Sequence, residues 1–262
     1  MKCITLLTDF SEKDGYPGIM KGVILNIAPQ AVIIDISHDI PPQNIRHAAI
    51  LLARSAPYFP AGTTNVCVVD PGVGTERRGI IAQLGSQFFI GPDNGLITLL
   101  YQRAVRDGLE IHIHALQNPG FQLSPISHTF HGRDVFAPAA GHLAKGVTLS
   151  NFGESVSDPV LLDFPIPTRT DQGWRGEVIS LDAFGNLASN LESRHIAYPG
   201  SAEIRIKDRI IKGLNQTFAE SQPGDLVALL DSFGQLSICM VNGSAEKSLG
   251  VRVGEPIWLI EN

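Results

Sequence analysis

At 262 residues, 44% hydrophobic and 18% charged, with a formal net charge of −6, the chain has the balance of a globular protein with one large domain or two modest ones. No run of Lys and Arg exceeds two residues, which argues against a phosphate-tracking surface and against nucleic acid as partner, whereas a mildly negative field suits a cationic small molecule. No apolar run approaches the roughly 20 residues of a membrane span, and the first apolar stretch meets Asp9 too soon for the core of a signal peptide.

Residues 3–7 read as a buried strand and 18–27 as a helix that stops before Pro29. A second buried strand follows at 32–36. Residues 44–58 place Ile45, Ala48, Ala49, Leu51 and Leu52 on one helical stripe, ended by Pro60. A strand at 66–69 runs into Asp70-Pro71-Gly72. Short strands at 80–84 and 87–90 flank Gly85-Ser86, and 95–105 reads as a helix. The alternating stretch 109–116 puts His112 and His114 on one strand face; with no third ligand at useful spacing the pair predicts no metal site. Residues 131–145 read as a helix with H-G-R-D at its entry. Pro159, Pro165 and Pro167 mark a linker across 158–172. Strands at 176–181, 203–206, 226–230, 235–241 and 256–260 follow. The pattern predicts an α/β N-terminal domain with a mainly parallel central sheet over 1–163, then a small, mostly antiparallel, barrel-like β domain over 172–262. Cys3, Cys67 and Cys239 each sit in an apolar segment without C-x-x-C spacing. They predict free buried thiols and a reducing cytoplasm, not a disulfide framework or a cysteine zinc site.

Two stretches carry the chemistry: V-V-D-P-G-V-G-T-E-R-R at 68–78 and T-F-H-G-R-D at 129–134. Each sets ionisable side chains beside glycines, just past an apolar run or at a helix entry. Asp70 serves equally well as a turn cap, but Arg77 follows seven residues later, past a glycine turn able to fold it back over the carboxylate. His131, followed by glycine, is placed to act as a base near neutral pH. Asp9 ends the first strand, where a carboxylate takes ribose hydroxyls, the competing role being a cap for the next helix. L-D-A-F-G-N at 181–186 and D-S-F-G-Q at 231–235 set Phe184 and Phe233 on glycine turns. They read either as barrel plugs or as faces for a flat heterocycle, with Asn242-Gly243 as a source of edge hydrogen bonds.

L-T-D-F, V-V-D-P-G-V-G-T-x-R, G-P-D-N-G, T-F-H-G-R-D, D-x-F-G-N and S-F-G occur in that order. Together they resemble the S-adenosyl-L-methionine hydrolase family, also called SAM hydroxide adenosyltransferases, related to the fluorinase and chlorinase enzymes. The resemblance runs almost end to end. It implies cleavage of S-adenosyl-L-methionine by water into adenosine and L-methionine, with no metal or other cofactor. It carries an Asp–Arg–His triad onto Asp70, Arg77 and His131, and the ribose carboxylate onto Asp9. It places Asp182 and Ser232 at the methionine end, and Phe184, Asn186 and Phe130 around the adenosyl group, with Asn242 at the adenine edge. It implies a homotrimer whose active sites lie between the N-terminal domain of one subunit and the C-terminal domain of its neighbour. In the halide-using relatives a tyrosine stands at the Asp70 position and an arginine follows the serine; Asp70 and Phe233 here favour water. A non-catalytic adenosine-binding module and a halide-using transferase remain as alternatives. A methyltransferase is disfavoured, since its G-x-G-x-G turn is missing.

Overall fold

The computed structural model of the chain describes residues 2–260. It divides into two compact units, one ending at Leu162 and the other beginning at Asp163.

The first unit carries β1 (Cys3–Thr8), α1 (Tyr16–Ile27), β2 (Val32–Ser37), α2 (Ile45–Ser55), β3 (Thr64–Val68), β4 (Gly79–Leu84), β5 (Gln87–Pro92), α3 (Thr98–Arg106), β6 (Ile111–Ala115) and α4 (Ala137–Ala144). Its six-stranded sheet has the order β2-β1-β3-β5-β4-β6. β1 runs parallel to β2 and β3, and β3 to β5, while β4 opposes both its neighbours. Alternate residues feed two cores. Ile4, Leu6, Val66, Val68 and Ile90 pack with α1 and α4 through Met20, Ile24 and Ala140. Leu7, Cys67, Val69 and Phe89 pack with α2 and α3 through Ala48, Leu52 and Leu100. Burial on both faces is why the central strands read as continuous apolar runs instead of alternating ones. β2 departs from the expected buried strand. It is the edge of the sheet, and Val32 and Ile34 are exposed, because β1 covers one side only.

The stretch read as a linker is pinned at its start. Arg78 holds Asp158, Val160 N–H donates to the Asp93 carboxylate at 2.8 Å, and Leu162 N–H donates to Thr98 Oγ1 at 2.8 Å.

The second unit carries β7 (Thr168–Thr170), β8 (Gly173–Leu181), β9 (Leu187–Glu192), β10 (Glu203–Ile206), β11 (Arg209–Lys212), β12 (Leu226–Leu230), β13 (Gln235–Met240), α5 (Ala245–Leu249) and β14 (Pro256–Ile260). Its antiparallel path is β11-β10-β14-β8-β9-β13-β12, with β7 beside β8. β8 pairs with β14 through its first half and with β9 through its second, so it bends between two sheet segments. Asn215, just past β11, bridges Leu229 of β12 and brings the path's two ends together, so the sheet is nearly a barrel. The inward side chains form one core around Val178, Leu191, Ile204, Ile238 and Leu259.

Candidate active site

The carboxyl ends of β1 and β3 and the entry to α4 converge on one polar cluster. Past β3 the chain turns tightly. Val73 N–H donates to Asp70 C=O, and the Thr75 hydroxyl donates to Gly72 C=O at 2.7 Å. Arg77 N–H then donates to Thr75 Oγ1, which sends the guanidinium back over Asp70. Arg77 Nε lies 3.0 Å from both carboxylate oxygens, and Nη2 completes an ion pair in which the Asp70 side chain is 4% exposed.

Nη2 also lies 2.7 Å from His131 Nδ1. A guanidinium has donors only, so Nδ1 is the acceptor, and the neutral ring carries its proton on Nε2. Phe136 closes the third side, its ring centroid 5.4 Å from the guanidinium carbon. Burial first, and then the charge of Arg77, hold His131 below the usual imidazole range, against smaller opposing pulls from Asp70 and Asp134.

His131 caps a five-residue π turn, Gly132–Phe136, that runs directly into α4. The expected single helix from 131 to 145 therefore begins with a wider turn, a device common where a helix carries functional groups. Asp134, 1% exposed, organises the approach. Its carboxylate accepts from Ser127 N–H at 2.8 Å and pairs with Arg133. Burial pushes its carboxyl up, but Arg133 and Ser127 outweigh that and leave it below the ordinary value. Sequence reading quoted Asp134 within its motif and gave it no role; its near-complete burial was not visible in one sequence.

The Asp70–Arg77 turn and the segment leading to His131 touch at Gly74. Its φ is +78°, and a Cβ there would lie 2.3 Å from the carbonyl oxygen of His128. A residue with a side chain would hold the loops apart. Asp9 is no helix cap, since α1 is capped by Gly15; its Oδ2 accepts from Gln43 N–H at 2.8 Å. Phe130 joins Phe10 and Tyr16 in an aromatic trio, with centroids 5.0 to 6.0 Å apart. Those rings set the Asp9 turn beside the His131 turn. Phe10 and Tyr16 were missed as part of the site, although Phe10 adjoins Asp9.

The other predicted site residues lie in the second unit, in a pair of hairpin turns of one design. Asp182 Oδ1 accepts from Phe184 N–H and Asn186 N–H, both at 2.9 Å, and Oδ2 accepts from Asn186 Nδ2. Asp231 Oδ1 repeats this with Phe233 and Gln235. Gly185 and Gly234 take φ of +82° and +74°. The turns leave Phe184 77% and Phe233 46% exposed, so neither ring plugs the barrel. Ser232 is exposed on the second turn. The first turn packs against the segment after Asn242, where Glu246 N–H donates to Gly185 C=O. His112 is exposed and His114 Nδ1 meets Gly153 C=O. Cys3, Cys67 and Cys239 are free thiols; burial, with smaller contributions from Asp182 and Asp231, pushes Cys239 up to about 12.

Residues 4–153 match the SAM hydroxide adenosyltransferase N-terminal domain, and residues 176–258 match the SAM hydroxide adenosyltransferase C-terminal domain. The chain belongs to the SAM hydroxide adenosyltransferase family. A Thermus thermophilus protein named (R)-S-adenosyl-L-methionine hydrolase is 37% identical over 265 residues, covering 99% of this chain and 100% of its own. A fluorinase from an Actinoplanes species is more distant, at 26% identity over 90% of this chain and 89% of its own. The crystal structure of an uncharacterized conserved protein from Thermotoga maritima superposes with a TM-score of 0.89 at 33% identity, covering 98% of this chain and 99% of that one. Among the described residues no helix is long and apolar enough to cross a membrane.

Proposed function

We propose that this member of the family hydrolyses S-adenosyl-L-methionine to adenosine and L-methionine, with Asp70, Arg77 and His131 as the catalytic residues. The observation that carries the reading is the single guanidinium bridging the Asp70 carboxylate and His131 Nδ1. Substrate sulfur is already a sulfonium and leaves as a neutral thioether, so the enzyme need not protonate it. What is missing is a nucleophile. A water seated against Asp70 gives its proton to that carboxylate, while His131, its Nδ1 lone pair taken up by Arg77, holds the guanidinium in place. Arg77 stabilises the hydroxide as it forms. An oxygen lone pair makes the bond to the ribose 5′ carbon while the carbon–sulfur pair departs on sulfur, and the proton passes to solvent. General-base assistance of this kind supplies about 10²–10⁴-fold, and alignment of the attacking oxygen supplies much of the rest. None of these steps calls for a metal or other cofactor.

Asp9 is proposed to hold the ribose hydroxyls, with Phe130 beside it. Asp182 and Ser232 are assigned to the methionine end, Phe184, Phe233 and Asn186 to the adenosyl group, and Asn242 to the adenine edge. The exposure of the rings on the two hairpin turns supports that reading. Because Asp182 spends its hydrogen bonds inside its own turn, its contribution is to shape the turn as much as to touch substrate. A homotrimer and residence in the cytoplasm complete the proposal, the latter supported by three free thiols. The name of the Thermus relative specifies the R sulfonium, and the same epimer is proposed here.

Incubation with each sulfonium epimer, followed by chromatography for adenosine, tests the reading. Adenosine from the R epimer, lost in Arg77→Ala, supports it. Absence of adenosine with retained binding would leave the adenosine-binding module, and 5′-chloro-5′-deoxyadenosine in chloride would leave the halide transferase.

A further inference from the structure

Next to the Asp9 turn lies a second ionisable cluster that the hydrolysis does not use. Glu12, on the loop after Asp9, Asp35 of β2 and His38 just beyond it each present one ligand atom, all within 4.8 Å of one another. Two surface carboxylates alone would mean little. The histidine changes the case. Its side chain is 2% exposed, and Nδ1 lies 2.8 Å from Thr8 Oγ1. Nε2 comes to 3.1 Å from Asp35 Oδ1, yet out of line for a hydrogen bond, and has no hydrogen-bond partner among the described residues.

Thr8 Oγ1 already accepts from Phe10 N–H and is placed to accept from Nδ1–H as well. With the proton on Nδ1, the Nε2 lone pair faces the Asp35 carboxylate and is open to a cation between them. A hydrogen bond from the distal ring nitrogen is how a metal-ligating histidine is usually oriented. We propose that Glu12, Asp35 and His38 form a site for a first-row divalent metal ion, which ties the loop after Asp9 to β2. One imidazole and two carboxylates suit Zn²⁺ or Mn²⁺, with water filling the remaining positions. Lys21 pairs with Asp35 Oδ2 and leaves Oδ1 for the ion. Its ammonium opposes the metal's charge and lowers the affinity. No step of the hydrolysis passes through this site, so the proposal stands apart from the catalytic reading.

The test is calorimetric titration of EDTA-treated full-length protein with Zn²⁺, paired with thermal melts. Wild type is expected to bind one equivalent and to melt higher with it. Glu12→Gln, a change at an exposed position, weakens that binding by about tenfold or more and abolishes the thermal shift. Lys21→Met tightens it, because the competing charge is gone. Absence of a one-equivalent site at micromolar Zn²⁺, or an affinity unchanged in Glu12→Gln, overturns the proposal.

Discussion

Gly74→Ala tests whether the contact between the Asp70–Arg77 turn and the segment before His131 sets the geometry of the proposed triad. At φ +78° an alanine pays about 1–2 kcal/mol for left-handed backbone. Its Cβ would also stand 2.3 Å from the His128 carbonyl oxygen, a backbone atom with no rotamer to escape into. Roughly 1 Å must open before that contact reaches van der Waals distance. The opening falls between the turn that aims Arg77 and the segment that presents His131, so the 2.7 Å contact of Nη2 with Nδ1 is lost. A misplacement of about 1 Å costs on the order of 10²-fold in rate. Adenosine release under saturating substrate is therefore expected to fall about 100-fold, with a melting temperature lower by about 5 °C. Gly72→Ala is the control. Its Cβ would meet nothing closer than 3.4 Å, at Arg77 Cγ, and its φ lies outside the left-handed region. It should stay within about twofold of wild type. Turnover by Gly74→Ala within about threefold of wild type, despite a lower melting temperature, would refute the idea that this contact positions the triad.

Arg77→Lys keeps the charge but lacks the fork that reaches Asp70 and His131 at once, so turnover should fall about 10²–10³-fold with KM little changed; near-normal turnover would count against the bridge. His131 is held below the ordinary imidazole pKa of about 6.5, so the neutral ring persists to lower pH and the acid limb of kcat/KM should lie below that value. The same sign makes the ring's contribution to stability present above its unfolded pKa and lost as pH falls through the folded one. Proton NMR titration of the ring should show the pKa rising in Arg77→Met, and a fall would contradict the assignment. Arg78→Ala leaves the Asp93 side chain, 1% exposed, without its guanidinium partner and still accepting from Val160 N–H, and calorimetry should find the melting temperature down by about 5 °C. Asp70→Asn should abolish hydrolysis and make chloride a competitive inhibitor, readable from initial rates at rising chloride; indifference to chloride would argue against a freed Arg77 charge.

The approach of Arg77 to Asp70 was legible because a glycine turn seven residues long returns the one to the other; that His131, 54 residues on, joins them followed only from the family resemblance. The finer geometry was not legible. The π turn leaves no mark in sequence, since Gly132 to Phe136 differ from an α turn only in which carbonyl accepts from Ala137 N–H. β9 was hidden by its own polar residues. Ser189 and Asn190 break the apolar pattern, yet Ser189 is fully buried and its hydroxyl donates to Leu236 C=O at 2.7 Å. Tertiary hydrogen bonding there overrides pattern. β2 failed in the opposite direction, since Val32 and Ile34 carry strand propensity without burial. The D-x-F-G-N and D-S-F-G-Q turns were legible as a comparable pair, but not the Asp-to-amide hydrogen bonding that makes them one solution used twice.

Charge matching at the triad also bears on why water, and not halide, is the nucleophile. A halide must shed its hydration and find net positive charge in the site. Here the nearest cation is Arg77, and its Nε and Nη2 donors are already committed to the Asp70 carboxylate and to His131 Nδ1. An anion arriving beside Asp70 meets a buried carboxylate before it meets uncompensated positive charge. Water meets the opposite situation: a carboxylate to take its proton, and a guanidinium whose field grows useful only as hydroxide forms. The same three side chains that disfavour a ready-made anion favour making one in place, and that asymmetry follows from where Asp70 sits.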